Sequence, residues 1–157
     1  MEFEKIYRAY APKIYRICFG YFNDSEKAKD VTQDTFVTVF ENLPTLKHQQ
    51  NILGWIYRIA SNKCLRQLQK ERKANLVYDY DFLKIEDIKT GRNESDYSLL
   101  QQCISQLPDL DRLIIGLYLE DENQEKIAEI IGITHSNVRV RIHRIKEILS
   151  KKMKKNE

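Results

Sequence analysis

A chain of 157 residues can make one or two small domains, and its 42% hydrophobic content can fill helical cores. No apolar run is long enough to cross a bilayer, and Met1-Glu-Phe-Glu-Lys5 lacks a signal-peptide core, which predicts a soluble, cytoplasmic protein with no membrane insertion of its own. The formal net charge of +3 hides two basic islands: Gly54 to Lys73 carries six bases against one acid, Thr134 to Glu157 eight against two, and the remainder is net acidic.

Two such islands read as separate footprints on a polyanion, since a solvated face usually mixes signs. A membrane surface is the main competitor for a basic amphipathic helix. Cys18, Cys64 and Cys103 are odd in number, far apart and at positions that a helix would bury; they read as free structural thiols, without paired spacing for a metal. With five Gly, three Pro and no series of alternating strands, the expected fold class is all-α: two small helical domains joined by an acidic linker.

Phe3, Ile6, Tyr7, Tyr10, Ile14, Ile17, Cys18 and Tyr21 recur at helical spacing, with Pro12 placed to kink or divide that helix. Asn23, with Glu26 three residues later, is the expected cap of the next helix. That helix sets Ala28, Val31, Thr32, Phe36, Val39, Phe40 and Leu43 on one side. Its other side shows Asp30, Gln33, Asp34, Val37 and Glu41, a stripe that by itself is an ordinary solvated face. Pro44 to Gln50, carrying Lys47 and His48, reads as a loop. A third helix starts near Ile52 and runs through Trp55, Ile56, Ile59, Ala60, Cys64, Leu65 and Leu68 to Lys73. Arg58, Asn62, Lys63 and Arg66 recur beside its apolar face, on which Trp55 is expected to be core rather than a stacking platform.

From Ala74 to Asp96 the helical pattern breaks down, and six acids stand against three bases. A long, acidic, aperiodic stretch between helical regions is most simply a linker. Tyr97, Leu100, Ile104 and Leu107 then form one stripe, and after Pro108 a further helix carries Leu110, Leu113, Ile114, Leu117 and Tyr118. The acidic turn Glu120-Asp-Glu-Asn123 leads into a helix-turn-helix pattern. Asn123 caps its first helix, which buries Ile127, Ile130 and Ile131, and Gly132 ends it in a left-handed turn. Thr134 caps the second helix, whose core face is Val138, Ile142, Ile145 and Leu149 and whose other faces carry Arg139, Arg141, His143, Arg144 and Lys146. Two short helices joined by a glycine turn, the second basic on its exposed side, suit insertion into a DNA major groove.

Three runs in this order resemble the bacterial RNA polymerase sigma factors of the extracytoplasmic-function group. Asp30-Val-Thr-Gln-Asp-Thr-Phe36 is similar to that family's D-x-x-Q-[DE]-x-F signature, and Trp55-Ile-Tyr-Arg-Ile-Ala-Ser-Asn62 to its W-[LI]-x-R-I-A-x-N run. The third is Leu107-Pro108 leading into the helix-turn-helix that ends Val138-Arg-Val-Arg-Ile-His-Arg144. The resemblance implies a sigma region 2-like domain over 1–73, the linker over 74–96 and a sigma region 4-like domain over 97–157. It implies that Asp30, Gln33, Asp34 and Val37 bind core RNA polymerase. It also implies that Lys47, His48, Arg58, Asn62, Lys63 and Arg66 meet the opened minus-ten element of promoter DNA. Arg139, Val140, His143 and Arg144 would read the minus-thirty-five element as duplex, with Arg141 and Lys146 on phosphates. No cofactor and no catalytic step is implied, and control falls to a separate protein, an anti-sigma factor. Lys126 stands where the family's first recognition-motif helix usually has a capping-box Glu, and Val140 where a small polar residue is common. A stand-alone helix-turn-helix regulator is the alternative, but it leaves the Asp30 run and the first basic island without a role. An enzyme finds no support, because Gly-rich phosphate loops, clustered metal carboxylates and nucleophile–His arrangements are absent from the sequence.

Overall fold

The computed structural model describes residues 2–46, 51–75 and 96–155. Lys47, His48 and most of the acidic linker lie outside the described residues. The chain is all-α, as expected: among the described residues there are seven α-helices and no strand. They are α1 (Phe3–Phe22), α2 (Ser25–Asn42), α3 (Ile52–Asn75), α4 (Asp96–Ser105), α5 (Asp109–Leu119), α6 (Gln124–Ile131) and α7 (His135–Lys155), with a 3₁₀ turn at Leu43–Thr45.

Helix α1 is the spine. It packs on α2 and α3 on one side and on α4 and α5 on the other. Of the expected stripe, Ile6, Ile14, Ile17, Cys18 and Tyr21 are buried, Phe3 and Tyr10 are half-buried, and Tyr7 is exposed. Pro12 does not divide the helix. It removes one backbone donor, but Pro12 is exposed, so water can solvate the carbonyl that loses its partner while burial on both flanks holds the helix together.

The cap of α2 is Asp24 rather than Asn23: its carboxylate accepts from the backbone N–H groups of Glu26 and Lys27 at 3.0 and 3.1 Å. Asn23 instead closes α1 in the left-handed conformation at φ 52°, donating its N–H to Phe19 O. Both neighbours are good cap residues, and the need to terminate α1 decides which does which.

The two helical halves share one apolar core. Gly116 of α5 faces Ile17 of α1 across this core, where a Cβ would make an ordinary contact with the Ile17 Cδ1 atom at 3.5 Å. The polar contacts between the halves fall on helix ends. Arg112, nearly buried, lies with its guanidinium over the Tyr21 ring at 4.5 Å and donates from Nε to Tyr21 O at 2.9 Å. Gln101 donates to Phe19 O and Gly20 O in the same turn. The Gly20 and Tyr21 carbonyls at the end of α1 are thus satisfied from the second half, and Phe19 O, already held by the Asn23 N–H, gains a second donor. The reverse happens at α6, where Arg58 Nη2 of α3 donates to Glu129 O at 2.7 Å. Two forked pairs complete the joint: Arg16 with Glu120 at 2.6 and 2.8 Å, and Arg72 with Asp109 at 2.6 and 2.8 Å.

Candidate nucleic-acid interface

The C-terminal motif follows its local chemistry. Asn123 Oδ1 accepts from the Lys126 N–H at 2.9 Å and starts α6. Gly132, at φ 88°, ends it, with its own N–H and that of Ile133 both donating to Ala128 O. Thr134 Oγ1 then accepts from the Asn137 N–H at 3.1 Å and starts α7. Val138, Ile142, Ile145 and Leu149 are buried, which turns Arg139, Val140, His143 and Arg144 outward together. Val140 is 53% exposed among them.

Arg141 and Lys146 are placed differently from these four. Arg141 is half-buried; its Nη1 donates to Asp111 at 2.8 Å and its Nε to Asn137 at 3.1 Å. Asp111 is only 5% exposed, so this pair ties the second helix of the motif to α5. The ammonium of Lys146 lies over the Tyr118 ring at 4.6 Å. Sequence reasoning missed Asp111 and Arg112. The available signal was two charges side by side within the apolar run Leu110 to Leu117, where burial demands partners.

In the N-terminal half, Asp30, Gln33, Asp34 and Val37 form one exposed stripe on α2, while Val31, Thr32, Thr35, Phe36 and Val39 are buried beneath. Thr32 and Thr35 keep their hydroxyls satisfied by donating back to Ala28 O and Val31 O. Phe40, expected on the core side, is 62% exposed and continues the outer stripe past Val37. Among the aromatic contacts it meets only Phe3, in a T-shaped pair with ring centroids 5.2 Å apart, and α1 begins at that residue.

On α3, Arg58, Asn62 and Arg66 are exposed. Arg58 faces the second half, and Lys63 pairs with Asp34 at 3.0 Å. Trp55 is half-buried and, with Asn51, Gly54, Arg58, Lys126, Glu129 and Ile130, lines a cleft of about 170 Å³ between α3 and α6. Its neighbours Ile56, Tyr57 and Ala60 are fully buried. Cys18 and Cys64 lie with sulfurs 3.8 Å apart in the core, and the neighbouring thiol, with burial, pushes Cys64 well above the ordinary thiol range. All three cysteines are free, as the sequence implied.

These features define a class: a two-part, all-α protein with a helix-turn-helix and an exposed acidic stripe on a separate helical half. Sigma-70 region 2 matches residues 6–74 and Sigma-70 region 4 matches residues 97–149. The chain belongs to the sigma-70 family, in its extracytoplasmic-function group, and is a promoter-directing RNA polymerase sigma factor. It is 28% identical to the extracytoplasmic-function RNA polymerase sigma factor SigW of Bacillus subtilis, over 97% of this chain and 89% of that one. It is 29% identical to RNA polymerase sigma factor YlaC of the same organism, over 98% and 92% respectively. The sigma factor RpoE, solved in complex with the anti-sigma factor NepR from Bartonella quintana, has the same fold, with a TM-score of 0.81 at 20% identity over 97% of this chain and 96% of that one. No helix among the described residues is long and apolar enough to cross a membrane.

Proposed function

We propose that this sigma factor divides its work between its halves. Residues 1–73 bind core RNA polymerase and the opened minus-ten element, residues 74–96 link, and residues 97–157 read the minus-thirty-five element. Polymerase docks on Asp30, Gln33, Asp34 and Val37, with Phe40 as an added apolar contact. The observation that carries this reading is the stripe itself: carboxylates, an amide and two exposed apolar side chains in line on a helix whose opposite face is fully committed to the core. Carboxylates and a bidentate amide suit a basic partner helix, and Val37 and Phe40 supply the desolvated contact that such an interface needs.

Arg58, Asn62, Lys63 and Arg66 track the single-stranded backbone, with Lys47 and His48 beside the bases. Arg139, Val140, His143 and Arg144 enter the major groove, and an Arg there can reach a guanine edge or a phosphate. Arg141 and Lys146, which the family resemblance puts on phosphates, have Asp111 and Tyr118 as partners, which supports a positioning role, with any phosphate contact made by exchange. The protein acts in the cytoplasm, carries no catalytic step or cofactor of its own, and is controlled by an anti-sigma factor. The sigma factors RpoE and CnrH, solved with NepR and with the cytosolic domain of CnrY, supply the parallel for that control.

The test is co-elution of the purified protein with bacterial core polymerase, with Asp34→Lys in parallel. Stoichiometric co-elution, lost in a folded Asp34→Lys protein, is the expected result. Wild-type binding by the variant refutes the docking face.

A further inference from the structure

The two outer surfaces of the N-terminal half meet at one ion pair. Lys63 of α3 reaches back to α2, and its Nζ donates to Asp34 Oδ2 at 3.0 Å. The lysine side chain is 19% exposed and the aspartate side chain 63%. A surface lysine ordinarily lays its stem on the protein and puts its ammonium into water. Here the ammonium ends on a carboxylate, and that carboxylate lies in the stripe assigned to polymerase.

We propose that Asp34 neutralises Lys63 in the free protein, and that polymerase docking on Asp34 releases the lysine for a DNA phosphate. This rests on the docking role of Asp34 and the DNA role of Lys63 given above. An exposed ion pair contributes only ~0–1 kcal/mol, so it yields to a competing cation. A guanidinium takes both oxygens of a carboxylate in a fork, whereas the lysine holds one. Once Asp34 is neutralised from outside, Lys63 adds a full charge to the row Arg58, Asn62, Arg66. Polymerase binding and strand binding then share one exchange, and at Lys63 the free factor lacks a phosphate contact that the bound factor makes. Asp30 gives the comparison: it lies one turn away on the same stripe and forms no ion pair among the described residues.

The experiment uses the full chain and a short, mixed-sequence, single-stranded oligonucleotide, titrated across salt concentrations. Variants are Asp34→Asn, Asp30→Asn, Lys63→Met and the Asp34→Asn/Lys63→Met double, each checked for helicity, with co-elution on core polymerase alongside. Asp34→Asn is expected to bind the oligonucleotide roughly 5–10-fold tighter at ~50 mM salt and to steepen the log–log salt slope by about 0.7, the value of one added single-strand phosphate contact. Asp30→Asn should leave the oligonucleotide affinity near that of the wild type, and Lys63→Met should remove the gain in the double variant. An unchanged affinity in Asp34→Asn, or an equal gain in Asp30→Asn, overturns the proposal and leaves the docking reading standing. Undiminished co-elution of Asp34→Asn with polymerase withdraws the docking role, and with it the trigger.

Discussion

Arg112 shows how a single side chain can hold two halves of a protein together. Its guanidinium donates to two backbone carbonyls, Tyr21 O and Leu107 O, and lies over the Tyr21 ring. Removing it as Arg112→Ala strands buried carbonyls, at roughly 1–3 kcal/mol for each buried group left unsatisfied, so a clear fall in the denaturant midpoint is expected. The tyrosine beneath it supplies a pH test. Burial first, then Asp109, pushes Tyr21 up from 10.0 to about 12, and burial, then Glu122 and Glu120, pushes Tyr57 up as well. The folded state keeps its proton where the unfolded chain loses it, so stability is full below pH 10.0 and is lost as pH rises towards about 12. The Tyr21 hydroxyl has no hydrogen-bond partner among the described residues. Tyr21→Phe should therefore change stability at neutral pH by less than about 1 kcal/mol and weaken the alkaline loss in a urea titration repeated across pH. An unchanged pH profile would show that the hydroxyl is hydrated. At the proposed DNA face, Arg139→Ala or Arg144→Ala should weaken binding to the upstream promoter element by about 1–3 kcal/mol if the contact is bidentate to a base. Equal transcription from all promoters would reject that assignment.

At the scale of elements, the helix-turn-helix was legible because its boundaries are local chemistry. Asn123, Gly132 and Thr134 each do in the structure what their side chains favour in isolation. Asn123→Ala should cost about 1 kcal/mol through the lost cap. Gly132→Ala should cost about 1–2 kcal/mol from backbone strain at φ 88°, because a Cβ there meets no atom within 4 Å. Thermal unfolding of the two variants measures both; an unaffected Gly132→Ala would mean that the turn relaxes. The readings that needed the rest of the molecule did less well. Pro12 offers a break in its helix, yet α1 is not divided there, flanked as it is by helices on both sides. Phe40 sits at core periodicity and stays outside, because α1 has only just begun where α2 ends. Asn23 and Asp24 compete for one cap, and no pattern within α2 ranks them. The acidic stripe was visible as residue types, but its pairing with Lys63 depends on where α3 returns.

At the scale of the whole molecule, the packed arrangement and the proposed promoter contacts are incompatible. Elements centred ten and thirty-five bases upstream lie about 85 Å apart at ~3.4 Å per base pair. A compact chain of this length has a radius of gyration of about 15 Å. The halves must therefore part on the promoter, and the 20 residues between Asn75 and Asp96 can reach at most ~70 Å, which with the width of the two halves suffices. Parting exposes the Ile17–Gly116 contact and breaks the contacts of Arg16, Arg58, Arg72 and Arg112 across the joint. Of these, Arg58 is also assigned to the minus-ten strand, so closure withholds one DNA contact directly. Reversing the two forked pairs, as Arg16→Glu with Arg72→Glu, sets like charges against Glu120 and Asp109 while replacing no side chain of the shared apolar core. Small-angle scattering should then show a radius of gyration well above about 15 Å, where the wild type stays near it. If closure limits the fraction able to bind, the opened variant should also saturate core polymerase at a lower concentration, by the factor through which the open population has risen. An expanded variant with unchanged polymerase affinity would mean that polymerase engages α2 without first separating the halves, and that opening is left to the DNA.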